Sequence, residues 1–536
     1  MTRNRFLEFI MALNLAVFGI AGCSTAPRNA SPSALDPATM QRIASVDERF
    51  QSYNVEMVEV IGGRFWKPYN KQENQPPQEL PTTAKESGAN PTGMDPNMYQ
   101  QRPPIDLTNH RLRTLAAALG PAYVRVSGTW ANTTFFQDSD APPRGTPPKG
   151  FAGVLTRKEW KGVVDFSHAV NAEIVTSFAT SPGTRDAAGV WTPSQARQLL
   201  AYTKSIGGNI AAAEFMNEPT YAAMGGAPKG YDAAAYGRDV VAFRKFVKQA
   251  IPDMVFLGPG SVGEGGALAI PIGPAVLKSE DLLAATGPAF DVFSYHYYGA
   301  VSERCASIGA AAQTTAAAAL SKEWLSQADT VDAFYAGLRG RFEPGKPMWI
   351  TETADAACGG NPWAPTFLDT FRYVDQHARL AKRGVQVIMH NTLASSDYGL
   401  LDENTLTPRP NYWAALLWRK FVGTTVLNPG SSSLPNLNLY AHCLRDNPGG
   451  VALLVINLDR ASSQSLDLPV SAQRYTLSAK DLMGSTVQLN GNDLTLGDND
   501  TLPALIGVST FSGTLTFPPA SITFLAMPRA NNSGCR

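Results

Sequence analysis

The chain has little histidine, few cysteines and no excess of either charge. Its 536 residues include six histidines, five cysteines, 45 basic residues and 45 acidic residues. A net charge of zero gives no global attraction to nucleic acid or to a sulfated polymer, and no run of like charge or nucleic-acid motif occurs. The histidines lack the spacing of zinc ligands, and we expect neither a catalytic metal nor a cofactor.

The N-terminus has no apolar run long enough to span a membrane, and it resembles an export signal instead. Arg3 and Arg5 precede the apolar stretch 6–20, and small residues follow up to Cys23. A basic start, a short apolar core and small residues are typical of a signal peptide. The segment Ile20-Ala21-Gly22-Cys23 resembles a bacterial lipobox, in which the cysteine is lipidated.

We therefore expect residues 1–23 to be a lipoprotein signal peptide and Cys23 to carry the lipid. Residues 24–50, rich at first in Ser, Pro and Ala, would form a flexible tether. The protein would be exported and anchored by lipid in the bacterial envelope, in the periplasm or at the outer membrane. An ordinary signal peptide with an incidental cysteine is the alternative.

The four remaining cysteines suggest two disulfides, because an exported chain with an even number of cysteines favours pairing. We expect Cys443 to pair with Cys535, which would attach the C-terminus to its domain. Cys305 would pair with Cys358. Buried free thiols are the alternative, which the compartment and the even number disfavour.

Short apolar or β-branched runs alternate with helical patterns eight times along the chain. The runs are 55–61, 123–126, 173–178, 210–216, 255–257, 291–297, 347–351 and 385–390. The helices expected after them are 107–119, 159–170, 193–206, 233–250, 278–285, 322–338, 366–382 and 411–421. Eight such units predict an α/β fold with a (β/α)8 TIM barrel over residues 51–423. A doubly wound sheet is the alternative, but no phosphate-binding glycine motif follows the first run.

Two segments depart from this alternation. Residues 64–105, between the first run and its helix, are rich in Pro, Asn and Gln and form a very long connection. It would lie over the catalytic face of a barrel as a lid, a substrate wall or a tolerated insertion. Residues 424–536 contain short strand patterns separated by turn residues, which predicts a β-sandwich that packs on the barrel. A carbohydrate-binding role for the sandwich is the second option.

Two glutamates stand at the carboxyl ends of predicted barrel strands. Glu218 follows the fourth run in Asn217-Glu218-Pro219, and Glu352 stands directly after the seventh run, at its carboxyl end. Pro219 cannot donate to a strand ladder, so the strand stops and presents Glu218 at the catalytic face. A surface glutamate in a loop is the alternative for Glu218 alone. Two carboxyl groups across one barrel mouth are what glycosidic bond hydrolysis requires, one as acid and one as nucleophile or base.

The motifs around these residues resemble clan A glycoside hydrolases, and in particular glycoside hydrolase family 79, the heparanase family. The resemblance covers nearly the whole mature chain. It rests on Asn217-Glu218-Pro219, Thr351-Glu352-Thr353, Arg111 to Leu115, Pro121 to Arg125, Ser127-Gly128-Thr129, His296-Tyr297-Tyr298, Gly359-Gly360, Tyr398, Leu401 to Asn404, Asn411 to Trp413, Tyr440 to Cys443, Val487 to Gly491 and Leu502-Pro503.

The resemblance implies a retaining hydrolase that cleaves β-linked glucuronic acid, with Glu218 as acid/base and Glu352 as nucleophile. It implies that Tyr398 and the loop ending in Gly359-Gly360 bind the substrate carboxylate. Tyr298 would hydrogen-bond the nucleophile. The remaining substrate-binding candidates are Asn217, Thr129 and His296. The partner would be an oligosaccharide, a polysaccharide or another glucuronide.

The chain also departs from the family pattern. Cys358 stands where the family often has glycine, and the family's Asp after the first strand has no counterpart in Ile61-Gly62-Gly63. No excised segment is evident, so we expect a single chain. The best basic cluster for a sulfated polymer, Arg379, Lys382 and Arg383, falls on a helix away from the mouth. Tyr297, Trp349 and Trp413 are expected in the core.

Two alternatives to a β-glucuronidase remain at this stage. One is another β-glycosidase of the same clan, such as a xylanase or a glucosidase. The other is a non-catalytic glycan-binding lipoprotein on the same scaffold, which would have no need of two paired carboxylates.

Overall fold

The computed structural model describes residues 35–69, 94–266, 268, 276–309, 312–430, 432 and 434–536. Its strands are β1 (Arg42–Ser45), β2 (Gln51–Glu56), β3 (Gly63–Trp66), β4 (Tyr99–Arg102), β5 (Ala122–Ser127), β6 (Thr134–Gln137), β7 (Gly153–Thr156), β8 (Ala172–Ser177), β9 (Ile210–Glu214), β10 (Val255–Ser261), β11 (Val292–Val301), β12 (Met348–Ala357), β13 (Val385–His390), β14 (Val422–Leu427), β15 (Leu437–Leu444), β16 (Val451–Asn457), β17 (Gln464–Leu468), β18 (Ala472–Ser478), β19 (Gln488–Leu489), β20 (Asn492–Asp493), β21 (Val508–Thr510), β22 (Gly513–Phe517) and β23 (Ser521–Met527).

The α-helices are α1 (Met57–Ile61), α2 (His110–Ala118), α3 (Arg157–Ala169), α4 (Ser194–Ser205), α5 (Ala233–Ala250), α6 (Ser279–Thr286), α7 (Ala306–Gly309), α8 (Lys322–Leu325), α9 (Gln327–Phe342), α10 (Phe367–Lys382) and α11 (Pro410–Phe421). The single helix predicted over 322–338 is wrong, because α8 and α9 form two helices that meet at Ser326.

Eight parallel strands close into a barrel in the order β2, β5, β8, β9, β10, β11, β12 and β13, and β13 pairs with β2. Helices separate successive strands along the chain. This confirms the predicted (β/α)8 barrel. Strands buried on both faces explain why the runs are continuously apolar rather than alternating.

The first barrel strand lies earlier than predicted. The prediction of 55–61 is wrong, because β2 covers Gln51–Glu56 and residues 57–61 form α1. Glu59 accepts from the Glu56 backbone N–H at 2.6 Å, and the reciprocal contact completes a capping box that begins the helix. Both the strand and the helix are buried, so the apolar run alone does not show where one ends.

The long connection after the first strand contains a hairpin. Strand β3 pairs with β4 antiparallel, from Gly63 opposite Arg102 to Trp66 opposite Tyr99. The Trp66 and Tyr99 rings stack with centroids 4.6 Å apart. Residues 70–93 lie outside the described part of the chain, and the described part of this connection is a wall beside the barrel mouth.

The C-terminal region forms an antiparallel two-layer structure. A nine-stranded sheet runs in the order β1, β14, β15, β16, β23, β18, β19 and β20, with β21 beside β18. One face packs on the barrel, where Tyr440 donates to Asp375 of α10 at 2.6 Å. The other face shares an apolar cluster with the two-stranded sheet of β17 and β22. The predicted β-sandwich class is confirmed, although several of these strands lie outside the strand patterns identified from the sequence.

The tether predicted over residues 24–50 is wrong for its second half. Strand β1 pairs antiparallel with β14 of the C-terminal sheet, and Leu35 and Met40 are buried in its outer apolar cluster. Asn532 donates to the Pro37 and Met40 carbonyls at 2.7 and 2.8 Å. The composition of this segment therefore does not indicate a strand, because β1 forms by pairing with residues that are distant in the sequence. The signal peptide and Cys23 lie outside the described residues and stay predictions.

Both predicted disulfides are confirmed. Cys443 is bonded to Cys535, and Cys305 is bonded to Cys358. The first joins β15 to the C-terminal residues, and the second joins the segments that follow β11 and β12. Within the described residues, no helix is both long and apolar enough to cross a bilayer.

We expect the double variant Cys443→Ala/Cys535→Ala to unfold at a lower temperature than wild type. The bridge links positions 92 residues apart, and such links contribute about 2–4 kcal/mol by restricting the unfolded chain. Thermal unfolding followed by circular dichroism measures the shift. Ser533→Ala, an exposed change beside the bridge, is the matched control, and equal transition temperatures for all three proteins would contradict the expectation.

Candidate active site

A pocket opens at the carboxyl ends of the barrel strands, where this fold places its functional side chains. The first connection contributes an aromatic rim to it. The described residues that line it are Glu56, Phe65, Trp66, Met94, Tyr99, Thr129, Trp130, Glu218, Tyr221, Met224, Val262, Gly263, Leu268, Tyr298, Val301, Glu352, Ala357, Cys358, Asn391 and Tyr398. Both predicted catalytic glutamates are therefore in one pocket.

Glu218 lies four residues beyond β9 in a left-handed backbone conformation, with φ 49° and ψ 62°. A residue with a side chain adopts this conformation at a cost of about 1–3 kcal/mol, and such residues concentrate at functional sites. The neighbouring Asn217 is held on both sides of its backbone by Asn132, whose amide accepts from its N–H at 2.9 Å and donates to its carbonyl at 3.0 Å. The loop after β5 thus fixes the loop after β9.

Glu352 points into the pocket from β12 and is surrounded by hydrogen-bond donors. The Tyr298 hydroxyl donates to its Oε1 at 2.6 Å, and Arg125 donates to its Oε2 at 2.9 Å. Asn391 approaches Oε1 at 3.5 Å. These donors stabilise an ionised carboxylate, which is the form a nucleophile needs.

His296 connects the two glutamates. Its Nδ1 lies 3.0 Å from Glu218 Oε1 and 3.7 Å from Glu352 Oε2. Burial lowers the pKa of His296 to about 4, so the ring is neutral near pH 7. Its Nε2 faces Arg125 at 3.3 Å, and because a guanidinium only donates, Nε2 is the acceptor. Nδ1 therefore carries the proton and donates to Glu218.

Arg125 is a functional residue that the sequence reasoning missed. Its buried guanidinium donates to Glu352, to Glu214 at 2.9 Å and to Asn217 Oδ1 at 2.7 Å. Burial opposes ionisation of Glu214, but the Arg125 charge and the hydrogen bonds from Thr351 and Arg125 act together against it, and the pKa of Glu214 lies below its ordinary value. The available signal was a charge inside an apolar strand run, since a buried charge must be paired.

Glu56 is a second residue that the sequence reasoning missed. It ends β2 and lines the pocket, whereas the sequence reasoning looked for the family's acid in Ile61-Gly62-Gly63, which begins at the last residue of α1. Burial, and then the nearby Glu352 charge, raise the pKa of Glu56 well above its ordinary value. A Cβ on Gly128, which has φ 86°, would overlap the Glu56 carboxyl group. This overlap explains the glycine in Ser127-Gly128-Thr129.

The predicted substrate-binding residues occupy three kinds of position. Thr129, Tyr298 and Tyr398 line the pocket. Asn217 and His296 are buried at its base, next to Arg125. Gly359 and Gly360 are not among the described lining residues, but Cys358, which directly precedes them, is.

Hydrogen bonds and a disulfide fix the loop that contains Gly359 and Gly360. Asp355 accepts from the Asn361 backbone N–H at 3.0 Å, and the Ser396 hydroxyl donates to the Gly359 carbonyl at 2.8 Å. The bond from Cys358 to Cys305 ties the same loop to the segment after β11. The backbone of this loop is therefore fixed before any ligand binds.

Residues expected outside the site are found outside it. Tyr297, Trp349 and Trp413 are buried, and none belongs to the described lining of this pocket. In the basic cluster on α10, Arg379 pairs with Asp329 and Asp375, and Arg383 pairs with Asp332. These arginines are already neutralised within the fold.

A (β/α)8 barrel with one glutamate after its fourth strand and another on its seventh defines a clan A glycoside hydrolase. The model of the glycosyl hydrolase family 79 N-terminal domain matches residues 104–378, just over half of the chain. The chain belongs to glycosyl hydrolase family 79.

Curated relatives agree with this assignment, and a solved structure agrees with the fold. The chain is 27% identical to heparanase of Mus musculus over 496 residues, which cover 80% of this chain and 88% of the relative. It is 24% identical to inactive heparanase-2 of Homo sapiens over 411 residues, covering 72% and 66%. A 4-O-α-L-rhamnosyl-β-D-glucuronidase structure from Fusarium oxysporum 12S superimposes with a TM-score of 0.58 at 13% identity, covering 92% and 99%. That structural likeness shows the fold.

We expect kcat/KM for a glycoside with a poor leaving group to fall as pH rises through about 7. Burial raises the pKa of Glu218 to about 7, so the carboxyl group is protonated below that pH and loses its donatable proton above it. A pH profile of kcat/KM measures this alkaline limb. In Glu218→Gln the limb should disappear, and a limb that persists there would show that another group causes it.

Proposed function

We propose that this protein is a retaining β-glucuronidase in which Glu218 is the acid/base and Glu352 the nucleophile. The observation that carries the proposal is the geometry of the pair around His296. Each of Glu218, His296 and Glu352 offers an atom within 4.8 Å of the others. Retaining glycosidases have carboxyl groups about 5–5.5 Å apart, whereas inverting enzymes leave about 6.5–9.5 Å for a water. The short separation supports direct attack by Glu352.

In the first step, a Glu352 oxygen forms a bond to the anomeric carbon while the bond to the leaving oxygen breaks. The electron pair of that bond goes to the leaving oxygen, which takes the proton from Glu218. Arg125 and Tyr298 hold Glu352 in position for this attack. The product of the step is a covalent glycosyl-enzyme and a free alcohol.

In the second step, Glu218 acts as a base. It accepts a proton from a water whose oxygen attacks the anomeric carbon, and the bond to Glu352 breaks. Glu218 is again protonated and Glu352 is again a carboxylate, so the site is restored. The neutral His296 hydrogen-bonds Glu218 through Nδ1 in a contact of 3.0 Å, which keeps the acid/base aimed at the same face of the sugar in both steps.

Tyr398 supports recognition of a uronic acid. Asn391 donates to the Tyr398 oxygen at 3.2 Å, which leaves the tyrosine hydrogen free to donate to a substrate carboxylate. Burial raises the pKa of Tyr398 well above its ordinary value, so the hydroxyl stays protonated. Burial also raises the pKa of the neighbouring Glu56 well above its ordinary value, which favours the uncharged form of that carboxyl group. Backbone N–H groups near Gly359 and Gly360 would complete the carboxylate site.

We expect Glu352→Ala to abolish turnover and Glu218→Ala to act selectively. Without its acid, the enzyme should lose about 10²–10⁴-fold in kcat/KM on poor leaving groups and much less on a dinitrophenyl leaving group. Azide should yield a β-glycosyl azide with Glu218→Ala and no product of retained configuration with Glu352→Ala. The measurement is kcat/KM across aryl glycosides, with product configuration determined by NMR.

Glu173→Ala, at a half-exposed surface glutamate, is the control for these two variants and should behave as wild type. Equal losses in the Glu218 and Glu352 variants on every leaving group would refute the division of roles.

We expect an aryl β-glucuronide to be cleaved at least about 10³-fold faster than the matching β-glucoside. A site built to hydrogen-bond a substrate group leaves its donors unpaired when that group is missing, and such sites discriminate strongly. Tyr398→Phe should lower kcat/KM for the glucuronide about 10- to 100-fold, the cost of one hydrogen bond to a charged group, and leave the glucoside rate nearly unchanged.

Tyr297→Phe removes a buried hydroxyl outside the pocket and is the matched control. Equal cleavage of glucoside and glucuronide by wild type would contradict the proposed glucuronide specificity. It would not contradict the retaining mechanism. Binding without cleavage of any glycoside would make this chain a glycan-binding protein; one of its relatives carries the name inactive heparanase-2.

A further inference from the structure

We propose that the leaving group of the natural substrate is apolar, an aromatic or alkyl aglycone rather than a sulfated sugar. The inference rests on the proposed glucuronidase function and names the substrate class of the same pocket. The inference comes from the chemistry of the pocket wall next to Glu218. The proposed mechanism does not use this wall.

The position of the leaving group follows from its proton donor. Glu218 must reach the leaving oxygen, so the group attached to that oxygen lies beside the Glu218 loop. Tyr221 and Met224 of this loop line the pocket, together with Val262 from the end of β10. The Thr220 hydroxyl donates to the Val262 carbonyl at 3.0 Å and accepts from its N–H at 3.2 Å. These two segments therefore form one rigid surface.

The surface continues to the opposite rim. Trp66, Met224 and Leu268 pack against the buried cluster that contains Tyr221 and Val262. Trp66 is fixed by its stacking on Tyr99. An apolar group that covers such a wall removes apolar area from water on both partners, which is favourable by about 25 cal/mol per Å².

The charges of the wall disfavour an anionic leaving group. The charged or ionisable acids in the described lining are Glu56, Glu218 and Glu352, and no lysine or arginine occurs among the described lining residues. A sulfate brought against these described residues would meet carboxyl groups and no cation among them to pair with. A separate groove contains Arg111 and Arg409, but it offers a sulfate little available positive charge. Arg111 is paired with Asp500, and Arg409 donates to backbone carbonyls.

The test uses n-propyl, n-pentyl and n-heptyl β-D-glucuronides. Their alcohols have nearly the same pKa, so the need for acid catalysis is constant and only apolar contact changes. We expect kcat/KM to rise about fourfold for each methylene until the wall is covered, because burying a methylene contributes about 0.8 kcal/mol. A glucuronide linked to a sulfated glucosamine should be cleaved more slowly than the heptyl compound.

Two variants keep side-chain shape and make the wall polar. Val262→Thr and Met224→Gln should each reduce the dependence on chain length, mainly through KM. Val241→Thr, at a residue 58% exposed on α5, is the matched control and should leave that dependence unchanged. Because Met224 is only partly buried, its variant stays interpretable even if Val262→Thr is poorly folded.

Equal kcat/KM across the alkyl series in wild type would overturn the inference while the glucuronidase function stands. Faster cleavage of the sulfated disaccharide would also overturn it. If none of the glucuronides is cleaved, the proposed function itself is wrong and this inference falls with it.

Discussion

Two carboxylates compete for one buried cation at the base of the pocket. Arg125 is fully buried and donates to both Glu214 and Glu352. Removing one partner from such an arrangement typically costs about 3–5 kcal/mol, because an uncompensated charge then remains in a low-dielectric interior. The guanidinium also orients Asn217. The geometry of the pocket therefore depends on a residue that does not contact the leaving group.

Burial and the surrounding charges raise the pKa values of two other carboxyl groups of the pocket. Burial, together with the Glu214 charge, raises the pKa of Glu218 to about 7 despite the opposing effect of Arg125. Burial and the Glu352 charge act in the same way on Glu56. A carboxyl group with a pKa near 7 can both donate and accept a proton at neutral pH, which suits the acid/base role proposed for Glu218.

Backbone geometry is held by contacts between loops rather than within them. The left-handed Glu218 is stabilised through Asn132 of the loop after β5, and the glycine loop after β12 is held by a disulfide and by Asp355. Loops fixed by a rigid barrel can carry strained conformations that an isolated loop would relax. The aromatic rim from β3 and β4 adds a wall that is independent of the catalytic pair.

Much of this protein followed from local patterns in the sequence. Apolar runs indicated eight barrel strands, Asn217-Glu218-Pro219 and Glu352 indicated two carboxyl groups at the mouth of the barrel, and the four cysteines other than Cys23 predicted two bridges. These features depend on neighbouring residues, or on the rule that parallel strands end at one face. The tertiary structure alone revealed the Arg125 network, the position of Glu56 and the pairing of β1 with β14. Each of these depends on residues that meet only after folding, and charge pairing, burial and strand pairing over long separations leave no periodic trace in the sequence.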